Sequence, residues 1–438
     1  MHITMIGTGY VGLVSGAGLA DFGMQVICVD KDADRIQGLN RGEVPFYEPG
    51  LEEFVERNVK NGRLSFTTDL KMAVENSLVI FIAVGTPDDG QGKTDLSQVE
   101  DVAKRLAQAI DDYKVIVMKS TVPVGTNRWF KEMIQANLKK DITVDVVSNP
   151  EFLREGSAIE DFMRPNRVVL GSDSAQALAV VKDIYRVLYL IEAPFVSTNL
   201  ETAELIKYAS NAFLATKISF INEVANICEK VGADVHDVAR AMGLDKRIGP
   251  KFLHSGPGYG GSCFPKDTLA FADLGKTLGS PASIVEAVIA VNRSQRARMI
   301  TKIENAIGPL DGKVVGVLGL TFKPNTSDVR ESPALDIVQA LLRKGAQIRA
   351  YDPAGMDEFQ KVVNDEKISY WGNAYEAARG AEALVFLTEW NEFRNLDLRK
   401  LKEALSKPVV LDLRNIYEPE RVTDLGFRYM GVGRGTTV

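Results

Sequence analysis

The feature that most limits what this chain can fold into is an alternation, over roughly its first 200 residues, of short apolar runs with longer helical patterns. The runs are Ile3–Ile6, Val26–Val29, Leu78–Val84, Val115–Met118, Val144–Val147 and Val168–Leu170. Apolar stretches of this length between helices read as parallel strands buried on both faces, and a series of βαβ units gives a doubly wound α/β sheet. Near Asn199 the pattern changes. Leu200–Val231 contains no Gly or Pro, stops at Gly232, and carries apolar side chains at helical spacing, among them Leu205, Phe213, Phe220 and Ile227. Further helices are expected around Val235–Met242 and Ile284–Ala306. Strands then return at Val314–Leu318, Gln347–Tyr351, Ala383–Leu387 and Pro408–Leu411. The expected plan is α/β, then a central helical segment, then a second α/β unit.

Gly7-Thr8-Gly9-Tyr10-Val11-Gly12 follows the first strand and opens a helix, so G-x-G-x-x-G stands in the context a dinucleotide needs. The glycines permit a tight turn and close backbone approach to a pyrophosphate, and the helix start offers free amides. The next strand ends at Asp30, where a carboxylate bonds a ribose 2′-OH and disfavours a 2′-phosphate. The first unit therefore reads as Rossmann-type and NAD-binding, with Lys31 and Arg35 leaving NADP open. Val84-Gly85-Thr86-Pro87 and Ser120-Thr121-Val122-Pro123 also follow strands, at the ligand-binding edge of such a sheet; either is equally readable as a turn.

Composition narrows the class. A chain of 438 residues, 45% hydrophobic and 25% charged, has room for two or three globular domains. The divisions expected are 1–198, 199–308 and 309–438. No apolar run reaches the roughly 20 residues that span a bilayer. The N-terminus lacks a basic leader, and Cys28, Cys228 and Cys263 are few and scattered, as in a reducing, cytoplasmic setting. A net charge of −6 disfavours nucleic acid.

Cys263 lies in Gly256-Pro257-Gly258-Tyr259-Gly260-Gly261-Ser262-Cys263-Phe264-Pro265-Lys266-Asp267, a loop open to a ligand, with Lys266 close enough in sequence to favour the thiolate. Cys28, in a strand, and Cys228, on a helix, read as core residues. The three histidines, His2, His236 and His254, form no recognisable dyad with the cysteine, and no zinc spacing occurs. A thiol beside an NAD site suits aldehyde oxidation: addition gives a thiohemiacetal, oxidation a thioester, and hydrolysis an acid. Lys207 and Asn211 share a helix face and suit an oxyanion and an ordered water, although Glu204, one turn back from Lys207, also allows an ordinary surface pair. In Asn149-Pro150-Glu151-Phe152-Leu153-Arg154-Glu155-Gly156, two glutamates flank an arginine, suited to acid–base work or equally to a charged helix start.

Together GTGYVG, VGTPDDG, STVPVGT, NPEFLREG, ELIKYASNAF, KRIGPKFL, GPGYGGSCFPKD and GLTFKPNTSDVRESPA resemble the UDP-glucose 6-dehydrogenase family, within the UDP-glucose/GDP-mannose dehydrogenase group, along the whole chain. The resemblance implies a four-electron oxidation of UDP-glucose at C6 with two NAD and one water. It implies Cys263 as nucleophile, Lys207 on the oxyanion, Asn211 on the C6 oxygen or water, Asp267 assisting, and Glu151 and Thr121 in proton transfer. NAD is expected to meet Gly7, Gly9, Val11, Gly12, Asp30, Arg35, Thr86, Thr121, Glu155, Lys266 and Arg330. The nucleotide sugar is expected along Glu151, Phe152, Leu153, Arg154 and Glu155, beside Lys207 and Asn211, and along Phe252, Leu253, His254, Ser255, Gly256 and Gly260. Lys323 and Arg414 are expected at its UDP part. Arg247 resembles the arginine that reaches a neighbouring subunit's substrate, and a homodimer through the central helices is expected, with no membrane or nucleic-acid partner. The alternatives are a GDP-mannose or UDP-N-acetyl-hexosamine 6-dehydrogenase, and an NAD-binding redox sensor. A sensor has no use for Lys207, Asn211 and Asp267.

Overall fold

The computed structural model describes residues 1–90, 92–138 and 142–434. The chain divides into two compact units, Met1–Ser210 and Asn211–Val438. The first is built on strands β1 (His2–Ile6), β2 (Gln25–Val29), β3 (Leu64–Thr67), β4 (Val79–Ile82), β5 (Lys114–Met118), β6 (Val144–Ser148), β7 (Val168–Gly171) and β8 (Phe195–Thr198), in the spatial order β3-β2-β1-β4-β5-β6-β7-β8. The chain order reverses between β1 and β4, the crevice where doubly wound sheets hold their ligands. The interior strands are as apolar as strands covered on both faces must be: Ile3 and Met5 face one layer of helices, Ile80 and Ile82 the other, and all four are buried.

One expectation needs correction. β7 pairs with β6 antiparallel, and β8 follows β7 in parallel, so the last two strands run against the first six. The apolar run Val168–Leu170 marks burial and carries no signal for direction. Strands β3 and β8 were not expected; Leu64–Thr67 alternates buried with exposed residues, and β8 is a half-exposed edge.

The second unit holds a six-stranded sheet with the same winding, β11-β10-β9-β12-β13-β14, from β9 (Val314–Leu318), β10 (Gln347–Tyr351), β11 (Ile368–Tyr370), β12 (Ala383–Phe386), β13 (Val409–Asp412) and β14 (Arg428–Met430). The outer strands β11 and β14 are only three residues long, too short to show a pattern.

The unit boundary falls inside the helix Leu200–Val231, whose limits are those read from the sequence. Gly232, at φ +74°, ends it. Its 32 residues span about 48 Å. Burial along it is mixed: apolar residues such as Tyr208 and Ile221 are buried, and polar ones with them. Glu204, Lys207, Asn211, Ser219 and Asn222 are buried, while Phe213 (65%), Phe220 (48%) and Ile227 (61%) are exposed. Buried polar groups cost free energy unless they are partnered, so a helix with this pattern has a polar site on one face and an uncovered apolar stripe on another. No described helix is long and apolar enough to cross a membrane.

Candidate active site

In the first unit the glycine turn is built as the fingerprint requires. A Cβ on Gly7 would stand 2.4 Å from the Ala83 carbonyl oxygen, and one on Gly12 only 2.0 Å from that of Gly7. Gly9 differs: nothing lies within 4 Å of its Cβ position, and the helix Tyr10–Asp21 that it precedes has no side-chain cap. An open space before uncapped amides fits a pyrophosphate. Asp30 Oδ2 accepts from the Thr8 amide and the Thr8 hydroxyl, each at 2.8 Å, which binds the end of β2 to this turn. Burial pushes the Asp30 carboxyl up, but the amides of Thr8 and Asp32, the Thr8 hydroxyl and Arg35 outweigh it and hold the group below its ordinary value. It therefore stays an anionic acceptor. Arg35 is engaged by Asp30 (3.4 Å) and Asp32 (3.8 Å), which removes it as a free cation for a 2′-phosphate.

Gly9→Ala is thus expected to melt as the wild type does and to weaken NAD binding at least about tenfold, because the added methyl enters only the ligand's space. Thermal melts and calorimetric NAD titration check the two halves of that expectation.

The loops after β4, β5 and β6 converge on the same carboxyl edge. Thr86 Oγ1 donates to the Thr121 carbonyl oxygen at 2.8 Å, which joins two residues expected at the cofactor. Glu151 follows β6 and meets Lys207 from the long helix. Lys207 Nζ donates to Glu151 Oε1 and to the Glu151 carbonyl oxygen, both at 2.7 Å. Both side chains are at most 5% exposed, so Lys207 is no solvated surface lysine. Burial raises the Glu151 carboxyl. Lys207, the Leu153 amide and Lys119 outweigh that and hold it below its ordinary range. Phe152 is stacked by Arg167 at 3.4 Å from the ring centroid, with Lys207 Nζ at 5.4 Å. Arg154 is exposed and pairs with Asp161 at 2.6 Å, and Glu155 is partly buried.

Two carboxylates hold these loops: Glu48, which the sequence reading did not single out, and Glu204, which is buried and not the surface partner of Lys207 that the sequence allowed. Glu48 accepts from Tyr10 Oη (2.5 Å) and from the amides of Gly156 (2.5 Å) and Ala158 (2.8 Å), tying the glycine turn to the segment after Glu151. Its amide partners lie 108 and 110 positions away, beyond any local pattern. Glu204 accepts from the amides of Gly125 (2.6 Å) and Asn127 (2.8 Å) and so caps the helix Thr126–Asn137 behind Thr121.

In the second unit Cys263 is the N-cap of the helix Phe264–Thr277, partly exposed, with Ser262 Oγ 3.6 Å from its sulfur. Negative charge on that sulfur faces the positive end of the helix dipole. Lys266, expected to favour the thiolate, is paired with Asp267 at 3.3 Å. Asp267 is buried and accepts from Asn211 Nδ2 at 2.6 Å. Asn222 Oδ1, on the same helix as Asn211, accepts from the Gly256 amide at 2.8 Å and fixes the glycine loop. That loop packs on the carboxyl edge of the second sheet. A Cβ on Gly260 would lie 2.1 Å from the Glu331 carbonyl oxygen, and one on Gly256 would lie 3.5 Å from Arg414 Nη1. Arg414 donates to the carbonyl oxygens of Leu387 (2.7 Å) and Phe322 (3.1 Å), and Lys323 Nζ lies 5.4 Å from the Phe322 ring.

The structure therefore gathers Gly256, Gly260, Lys323 and Arg414 at one sheet edge. Leu253 and Ser255 are buried beside that loop, Phe252 is partly buried, and His254 is exposed. Arg330 is exposed and paired with Asp328 at 2.6 Å. Arg247 is 89% exposed and bonded to Asp245, away from these residues.

The position equivalent to Asp30 in the second sheet is Asp352, after β10. Its Oδ2 is already occupied by the amides of Leu320 (2.7 Å) and Thr321 (3.1 Å) and by Trp390 Nε1 (3.1 Å). Asp352 is wholly buried, whereas the Asp30 side chain keeps 11% of its surface exposed, and no G-x-G-x-x-G follows β9.

The comparisons agree with this geometry. The NAD binding domain of the UDP-glucose/GDP-mannose dehydrogenase family matches residues 1–189, its central domain residues 201–294, and its UDP binding domain residues 316–419. The chain belongs to this family. It is 54% identical to a UDP-glucose 6-dehydrogenase of Rhizobium meliloti (strain 1021), over 99% of this chain and 100% of that protein. It is 48% identical to the UDP-glucose 6-dehydrogenase TuaD of Bacillus subtilis (strain 168), over 99% of this chain and 93% of that one. Among solved structures it resembles a UDP-glucose dehydrogenase from Pyrobaculum islandicum, with TM-score 0.91 and 38% identity, covering 99% of this chain and 97% of that one. NAD is the cofactor of the family's first domain, and the fold of both sheets is that of the family.

Proposed function

We infer that this chain is an NAD-dependent oxidoreductase that converts UDP-glucose, two NAD and water into UDP-glucuronate and two NADH. Membership of the family supports the reaction class, and the names of the relatives support the sugar. The observation that carries the chemistry is the buried Lys207–Glu151 pair on the carboxyl edge of the NAD-binding sheet. NAD, when bound, supplies the hydride acceptor.

Lys207 stabilises negative charge on the C6 oxygen, and Glu151, with Thr121, takes up the proton that leaves it. The Cys263 thiolate adds to the C6 aldehyde and forms a C–S bond. Oxidation of that thiohemiacetal leaves a thioester. Asn211 and Asp267 hold the water that cleaves the C–S bond and frees the thiolate and the carboxylate. A covalent adduct keeps the aldehyde in place while NADH is exchanged at the dinucleotide site after β1. In this reading residues 1–198 bind NAD, with Glu155, Lys266 and Arg330 as further contacts. Residues 199–308 carry the cysteine loop, and 309–438 hold the UDP part through Lys323 and Arg414, with Phe152–Arg154 and the Phe252–Gly256 loop along the sugar nucleotide. Parallel assays with UDP-glucose, GDP-mannose and UDP-N-acetyl-hexosamines test the substrate. UDP-glucose is expected to turn over fastest, and NADH from GDP-mannose alone would overturn the assignment.

The apolar stripe of the long helix supports a homodimer, in which the exposed Arg247 would exchange Asp245 for the partner's substrate. Phe213→Asp is expected to convert a dimer into a monomer in sedimentation experiments, because it places a charge in the middle of the stripe. An unchanged mass would place the dimer contact elsewhere. With few cysteines, and no membrane-spanning helix among the described residues, the working location is the cytoplasm.

A further inference from the structure

Lys119, the residue after β5, is a second buried lysine that the chemistry above does not use. It is 5% exposed and lines a small cleft of about 50 Å³ with Asn149, Glu151, Arg167 and Tyr185. Its Nζ donates to Asn149 Oδ1 at 3.2 Å, an oxygen that also accepts from Tyr185 Oη at 2.8 Å. Asn149 Nδ2 in turn donates to the Val169 carbonyl oxygen at 3.0 Å, which fixes the amide's orientation. Among the described residues no carboxylate stands within ion-pair distance of Lys119, so a buried ammonium is held by a neutral amide alone. That arrangement is costly, and a methionine of similar length would suit the site better on stability grounds.

The charges around it explain why a lysine is there. The groups facing Lys119 are Glu151 and Lys207, with Arg167, Tyr185 and the Arg154-paired Asp161 on the same cleft. One buried carboxylate thus serves three cations. During the reaction Lys207 turns its charge to the C6 oxygen. Glu151 would then be a buried anion that shares its cation, prone to be protonated before it can accept the substrate's proton. We propose that Lys119 is a positioning residue: a spare buried cation that keeps Glu151 ionised, and so able to accept the substrate's proton, while Lys207 is engaged with the C6 oxygen. Burial pushes the Lys119 ammonium down to about 8, with Glu151 raising it and Lys207 lowering it, which places the lysine in electrical contact with both. Its charge is present below that value and fades above it.

The inference rests on the reading of Glu151 and Lys207 as the acid–base pair. Its test is the pH profile of kcat for purified Lys119→Met and Lys119→Arg, with KM for UDP-glucose and NAD and a thermal melt for each. In Lys119→Met the acid limb is expected to move up by roughly one pH unit, which is about a tenfold loss of kcat below the limb. Both KM values should stay near wild type, and the melting temperature should hold or rise. Lys119→Arg, permanently charged, should return the limb to its wild-type position. An unmoved acid limb in Lys119→Met, or a lost activity that merely follows a lower melting temperature, would overturn the proposal. Lys207→Ala separates the two failures: if it leaves kcat intact the acid–base reading falls, whereas its loss beside an unmoved Lys119→Met limb removes only the spare-cation role.

Discussion

Cys263→Ser is expected to cut formation of UDP-glucuronate by at least about 1,000-fold while leaving NAD affinity and melting temperature near wild type. The reasoning starts from ionisation. A thiolate is the nucleophile in such chemistry, and a serine hydroxyl stays protonated at neutral pH. The substitution is gentle in every other respect. Position 263 caps the helix Phe264–Thr277, where serine is a favoured residue, and Ser262 beside it shows that the loop accepts a hydroxyl. Binding of UDP-glucose and NAD should survive, so any NADH that forms reports the first oxidation alone. Quenched-reaction chromatography, which separates the aldehyde level from the acid, makes the distinction. Undiminished uronate from this variant would remove the covalent step.

Lys207→Ala carries the second large effect, and it acts on two levels. On catalysis, loss of the ammonium proposed to face the C6 oxygen should lower kcat by about 100- to 1,000-fold while KM for UDP-glucose changes far less, because the charge develops only as the alcohol is oxidised. On stability, Glu151 is left buried without its ion-pair partner, and breaking a buried pair costs about 3–5 kcal/mol. Glu151 escapes part of that cost by taking a proton. In the wild type its carboxyl is held below its ordinary value, so the pair's contribution is complete above that value and fades as the pH falls through the lowered one. The variant should therefore lose less stability than the wild type on acidification through that range. Melting curves across acidic pH check the sign, and equal slopes would mean that the pair is not ionised as drawn.

Much of the architecture was legible because its signals are local. The glycine turn, the acid at the end of β2 and the uninterrupted run Leu200–Val231 each declare themselves within a short window, and the structure reproduces them. Strand direction was not legible: Val168–Leu170 is apolar enough to be buried whichever way it runs, and its antiparallel turn depends on the loop before it. The site was legible as a set of parts rather than as pairs. Lys207 and Asn211 were evident as neighbours on one helix, yet nothing local joins Lys207 to Glu151, 56 positions away. Glu48 and Glu204 escaped for the same reason, since their partners are distant backbone amides. Lys119 was hidden in plain strand context, where a lysine after an apolar run ordinarily reaches solvent.

In the proposed mechanism one sugar alcohol is carried through two oxidations without release. Counting the NADH formed per UDP-glucose consumed, under limiting sugar with the product identified, decides whether it is. Two NADH per sugar and UDP-glucuronate with no free aldehyde are expected. One NADH per sugar with aldehyde accumulating in solution would contradict that mechanism.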